Sequence, residues 1–322
     1  FDDRQTDTKC KNGVARNMTN KKKKGLRKQW PFYLMVLPGM LYLLINNYGP
    51  MAGLFIAFKK IDYSLGVWKS PWVGLKNFTY LFKTKAAFQI TRNTILYNLV
   101  FIVLGTVLGI AVGIMLSELR HKWETKIFQT LILLPYLLSW VICAYIGYAF
   151  MSKETGLING VLSSLGMAKI DWYNDAGKWP FILTFVNLWK GIGYGSIVYM
   201  STIIGIDRSL YESAMVDGAS KWQQIVKITL PLLKSTVIMM LIMSIGRMFY
   251  SDFGLFYQVP MNSGVLFPTT NVIDTYVYRA LIEQGNISMS SAAGVYQSLV
   301  GFCVVMLSNW IVRKVDKDQA LF

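Results

Sequence analysis

Stretches of about twenty residues with almost no charge recur along this chain, and they restrict its fold more than any other feature. A hydrocarbon core about 30 Å thick is crossed by roughly 20 apolar helical residues. Runs of that kind occur at Pro31–Tyr48, Asn93–Leu116, Ile127–Phe150, Phe181–Ile206, Ser235–Tyr250 and Ile287–Val312. The first stays uncharged as far as Phe58 but is broken by Asn46, Asn47 and Pro50, so its outer end is open. The fifth is the weakest, because Arg247 interrupts it. Backbone groups in lipid must pair internally, so the expected fold is all-α and polytopic, with six transmembrane helices. No internal repeat is visible.

The rest of the composition agrees. Hydrophobic residues make up 53% of the chain and mean hydropathy is +0.38, outside the range of an ordinary soluble domain. Formal charge is +16. Nucleic acid could explain a basic excess, and so could cationic loops that set membrane orientation. One histidine, His121, and three cysteines, Cys10, Cys143 and Cys303, do not suggest a metal site. Cys143 and Cys303 sit in apolar runs and read as packed thiols. No GxxxxGK[ST] phosphate loop is present, so this chain does not hydrolyse ATP by that route.

Residues 1–30 form a polar, basic tail with ten Lys/Arg, including KKKKGLRK just before the first run. No small-residue cleavage site follows, and the run reads as an uncleaved anchor. With the N-terminus inside, Lys and Arg number 20 on inner segments and 10 on outer ones. That supports cytoplasmic N- and C-termini. The first outer loop opposes the trend, with six lysines between Lys59 and Lys85. Those lysines are either solvated charge or a means of attracting an acidic sugar or an acidic protein rim.

Between the fourth and fifth runs lies a charged island, 207–234, placed inside by this orientation. Ser209-x-x-Glu212 and Ser220-x-x-Gln223 each have capping-box spacing, with Gly218 between them where positive φ is often needed. Two short helices are therefore expected. Trp222, Ile225, Val226 and Thr229 form one apolar face of the second, and Leu230-Pro231 is expected to stop it and open the next helix. A DNA-reading helix-turn-helix shares the shape but would need a basic recognition face, which is missing.

Glu212, Ala214, Gly218, Ile228, Leu230 and Pro231 reproduce the EAA motif of binding-protein-dependent ABC importer permeases, EAA-x3-G-x9-I-x-L-P, with Ser213 at the middle alanine. ILLPYLLSW at 132–140, NLWKGIGYGSIVYM at 187–200 and NVIDTYVYRALIEQG at 271–285 extend the likeness. From about residue 30 onward the chain resembles LplB-type carbohydrate permeases, which are related to the maltose-type transporters. The resemblance implies a type I ABC importer permease architecture over 31–312, with a short inner tail at 313–322. It implies a second permease subunit, two ABC ATPase subunits that use ATP and Mg, and an external solute-binding protein that delivers an oligosaccharide. It implies a bacterial cytoplasmic membrane location, no covalent chemistry, and no cofactor bound by this chain. The residues it assigns to ATPase coupling are Glu212, Ala214, Asp217, Gly218, Ile228, Leu230 and Pro231.

Charges inside the runs are costly and face the protein interior, water or an interface. Lys190, Arg247 and Asp252 therefore line a substrate path, hold the bundle together or reach to the headgroups. Trp189, Tyr194, Tyr199 and Tyr250 stack on sugar rings or serve as packing. Gly191, Gly193 and Gly195 look like a nucleotide loop but follow no strand, and close helix packing fits them better. A membrane-embedded enzyme would need clustered titratable groups in the spans. A permease for another solute, such as a peptide, would share the EAA motif.

Overall fold

The computed structural model describes residues 30–119 and 121–315. The basic tail and the last residues lie outside that range. The chain divides into two compact units, Phe1–Phe55 and Ile56–Phe322. Among the described residues every element is helical, except for one isolated antiparallel bridge between Lys59 and Trp72.

Helix α1 is the first candidate span, Trp30–Phe58, so the outer end left open by the sequence lies at Phe58. It passes Asn46 and Asn47 in a π turn, Leu44–Tyr48, closed by the Gly49 N–H on the Leu44 carbonyl. Pro50 follows at once, where its missing N–H breaks no regular i→i−4 ladder.

The second unit begins with two short helices, α2 (Gly66–Lys69) and α3 (Lys76–Lys83). The long helix α4 is Lys85–Ser117. Helices α5 (Lys122–Leu137) and α6 (Trp140–Met151) meet at a 96° bend. The third run is thus two helices, a correction to the single span Ile127–Phe150. Pro135 lies inside the last turn of α5, and Ser139 caps α6 by accepting from the Ile142 N–H at 3.3 Å. Helix α7, Leu157–Ser164, lies outside the spans, and α8, Trp179–Ile204, forms the next candidate span with Pro180 in its first turn.

The island contains α9 (Arg208–Val216) and the start of α10, a candidate span over Lys221–Gly246. Here the structure departs from expectation. Leu230-Pro231 does not stop the helix, because a π turn at Ile225–Thr229 precedes it, and Leu230 keeps helical φ −62° and ψ −43°. The shifted register gives Pro231 the same relation to its π turn that Pro50 has in α1. The fifth run thus begins at Lys221 rather than Ser235, and Arg247 is the residue that ends it.

Three short helices follow, α11 (Phe253–Gln258), α12 (Phe267–Thr270) and α13 (Ile273–Tyr278), before α14 (Ile287–Val315). Candidate spans thus number five among the described residues, or six with the bent pair counted as one. Buried Tyr97, Trp179, Leu183, Leu255, Phe256 and Val272 pack α11–α13 against α4 and α8. A second cluster, Tyr199, Ile203 and Leu233, joins α8 and α10 near the island. Gly193 allows α8 to cross α5, because a Cβ there would collide with the Ile132 carbonyl oxygen.

Candidate functional site

The island is built to hold one shape. Asp207, not Ser209, caps α9, its carboxylate accepting the Ser209 N–H at 3.0 Å. Those bonds with Ser209 hold the Asp207 carboxyl below its usual range. The cap two residues earlier moves Glu212 out of the first turn, so the expected box between Ser209 and Glu212 does not form. Helix α9 closes with Gly218 at φ +79°. The Ala219 N–H reaches the Ala214 carbonyl at 2.9 Å and the Gly218 N–H reaches Met215 at 3.1 Å, a Schellman motif. The Ser220–Gln223 box forms as its spacing predicts.

Two further contacts brace the island. Tyr211 Oη and Thr229 Oγ1 lie 2.9 Å apart, and Lys221 Nζ meets Glu118 Oε2 at 2.9 Å. The inward face of early α10 is Gln224, Ile225, Ile228 and Thr229. Trp222 and Val226 point outward instead, at 72% and 42% exposure. Val216 is 88% exposed beside them in sequence. Glu212, Asp217 and Leu230 are exposed as well, and Ala214 is half-buried. Among the described residues, the Glu212 carboxylate makes no hydrogen bond or ion pair. The island thus presents apolar and acidic groups outward on a fixed frame.

The path candidates separate into three places. Lys190 Nζ donates to the carbonyls of Pro135 at 3.3 Å, Tyr136 at 2.8 Å and Leu138. Its charge caps the end of α5 at the bend, 5.1 Å from the centre of the Trp140 ring. The Trp140 Nε1–H donates to Asp252 Oδ2 at 2.8 Å, and Asp252 Oδ1 caps α11 on the Gly254 N–H at 2.9 Å. Lys190, Trp140 and Asp252 thus hold the bend of the third span against the end of the fifth.

Tyr194 and Arg247 line a cavity of about 340 Å³ between α4, α8 and α10. Asn98, Asn187 and Ser244 supply amides and a hydroxyl, and Gly191 and Gly195 leave the space open. Tyr136, which the sequence does not single out, stacks on Tyr194 with ring centroids 5.4 Å apart and planes 16° apart. Its partner is 58 positions away, and only the helix crossing at Gly193 brings the rings together. Tyr199 is buried against Gly109 and Gly113 and serves packing. Tyr250 is half exposed and its ring lies near Gly301.

Trp189 faces elsewhere. It lines an apolar cavity of about 660 Å³ with Cys143, Phe150, Phe181 and Phe185. In the first outer loop, Lys59 is buried and donates to the carbonyls of Val67 at 3.2 Å and Trp68 at 2.8 Å, which gives it a structural place. Lys69, Lys76 and Lys83 remain exposed. Among the described residues no group of His, Cys, Asp and Glu is arranged to hold a metal ion.

Residues 105–317 match the family described as binding-protein-dependent transport system inner membrane component. Protein LplB of Bacillus subtilis (strain 168) is 34% identical over 292 residues, covering 91% of each chain. The polygalacturonan/rhamnogalacturonan transport system permease protein YteP of the same strain is 35% identical over 299 residues, again 91% of each. A crystal structure of a bacterial alginate ABC transporter in complex with an alginate pentasaccharide-bound periplasmic protein aligns with TM-score 0.82 and 31% identity, over 91% of this chain and 98% of that one.

Proposed function

From the premise that this chain belongs to the family of binding-protein-dependent transport system inner membrane components, we propose that it is one of two permease subunits of an ATP-driven oligosaccharide importer. YteP is named for polygalacturonan/rhamnogalacturonan transport and the similar structure carries a saccharide on a periplasmic protein, which supports both the substrate class and delivery by a solute-binding protein. ATP and Mg are used in separate ATPase subunits, and this chain binds no cofactor of its own. Its termini and island lie on the cytoplasmic side, as the distribution of Lys and Arg favours.

The observation that carries this reading is the outer face of the island. Val216, Met215 and Trp222 are more than half exposed on a backbone fixed by caps at both ends. Apolar groups held that way on the island mark a surface that a partner covers. Glu212, free of any partner among the described residues, offers that protein a carboxylate. When the ATPase pair closes on ATP, the rigid island transmits the displacement to α10, and the cavity opens to one side or the other.

ATPase activity of the reconstituted complex with its binding protein tests this. Glu212→Ala and Gly218→Val are expected to lower saccharide-stimulated hydrolysis at least tenfold while the permease still inserts and assembles. Normal stimulation in both variants would reduce the island to a packed loop.

A further inference from the structure

Lys190, inside one candidate span, and Arg247, at the end of another, differ in what they meet. The Lys190 ammonium is satisfied by three carbonyls and two aromatic faces, those of Tyr136 and Trp140. The Arg247 guanidinium lines the cavity beside Tyr194 and, among the described residues, has no hydrogen bond and no ion pair. Its backbone is fully engaged, with the N–H on Ser244 at 3.1 Å and the carbonyl accepting from Tyr250 at 2.8 Å. Arg247 is the only charged residue among those lining the cavity. Arg247 is exposed at the cavity, and its guanidinium keeps its charge there, so its donors are open to an anion or to water.

The groups around it specify the anion further. Tyr194, backed by Tyr136, presents an aromatic face. The Asn187 side chain is without a partner among the described residues. Asn98 donates to the Thr94 carbonyl at 2.9 Å and to Ser251 Oγ at 3.3 Å, which leaves its oxygen to accept from a hydroxyl. An aromatic face with amides suits a sugar ring bearing several hydroxyls. One lone guanidinium matches one planar, singly charged carboxylate through paired N–H donors. The volume of about 340 Å³ lies within the range of ligand pockets.

We propose that Arg247 receives the carboxylate of a uronate residue, so that the cavity selects acidic over neutral saccharides. The inference rests on the oligosaccharide reading above and narrows it. Arg247 acts as a specificity-determining residue.

The test uses the assembled complex with both permeases and its ATPases, in lipid. Trisaccharides of galacturonate, mannuronate and guluronate are compared with their methyl esters, which keep the ring and remove the charge. Binding to the complex without its binding protein, and uptake with it, are both measured. The expected result is that at least one acid binds about ten- to a hundredfold more tightly than its ester, the scale of a charge-assisted pair. Arg247→Gln removes that difference and Arg247→Lys keeps part of it. If neutral saccharides or esters are bound and carried as well as the acids, and Arg247→Gln changes nothing, the inference fails while the importer reading stands. If Arg247→Gln instead separates the two permeases, the guanidinium pairs across their interface and the inference also fails. If no saccharide of either kind is bound or carried while the binding protein still stimulates ATP hydrolysis, the oligosaccharide reading fails and takes the inference with it.

Discussion

Lys190 brings a full charge into a helix that crosses lipid, and its three carbonyl partners explain how the chain tolerates it. Those carbonyls lie at the end of α5 and on its cap Leu138, where the bend interrupts the helical ladder, although Pro135 also accepts the Leu138 N–H at 3.2 Å. Lys190→Met removes their shared donor, at a cost of about 1.5–3 kcal/mol for hydrogen bonds to a charged group. A lower melting temperature of the purified complex is expected, with the loss partly restored by Lys190→Gln. An unchanged melting temperature would mean that water replaces the ammonium. Single residues differ in how much of their role the sequence carries. The Ser220–Gln223 box and the positive φ of Gly218 are legible because both follow local rules. Sequence reasoning misplaces the first cap because Asp207 and Ser209 are both good caps two residues apart, and spacing to Glu212 favours the wrong one. Tyr136 carries no signal, since its ring partner comes from another helix.

At the scale of elements, charge-free length locates the spans but not their shape. Nothing between Ile127 and Phe150 is charged, so the bend at Leu138 and Ser139 is invisible in sequence, and Pro135 inside the helix is its only trace. Conversely, Pro231 reads as a stop because the rule for proline assumes an α register, and the π turn before it changes the register. The three glycines of α8 show how packing assigns different tasks to one motif. Gly193 faces the Ile132 carbonyl, while Gly191 and Gly195 face the open cavity, with no atom near the space of an added Cβ. Gly193→Ala is therefore expected to destabilise the α5–α8 crossing by about 1–3 kcal/mol, as overpacking does. Gly191→Ala is expected to leave the melting temperature unchanged and to weaken saccharide binding by narrowing the cavity. Thermal denaturation and equilibrium binding on both variants separate the two effects, and equal destabilisation would contradict the assignment.

For the whole molecule, the distribution of basic residues is the main guide to sidedness, and the first outer loop blurs it. Burial of Lys59 on the α2 carbonyls takes one of that loop's six lysines out of the count for local structural reasons. A single-cysteine variant at Val216, made in a cysteine-free background, is expected to react with a membrane-impermeant maleimide only in inside-out vesicles. One at Tyr63 is expected to react only in right-side-out vesicles. The reverse pattern would invert the topology. Sequence alone can locate the EAA-like motif, because it is one contiguous string, but not the cavity, whose walls come from three helices. Helix α10 unites the two. It starts at Lys221 within the island and ends at Gly246 next to Arg247, without interruption by Pro231. Its 26 residues span about 39 Å at 1.5 Å per residue. Two sites at opposite ends of one rod obey a reciprocity that no detail of the motion can alter. Whatever factor a saccharide at the Arg247 end applies to the affinity of the island for the ATPase, the docked ATPase applies the same factor to the affinity for the saccharide.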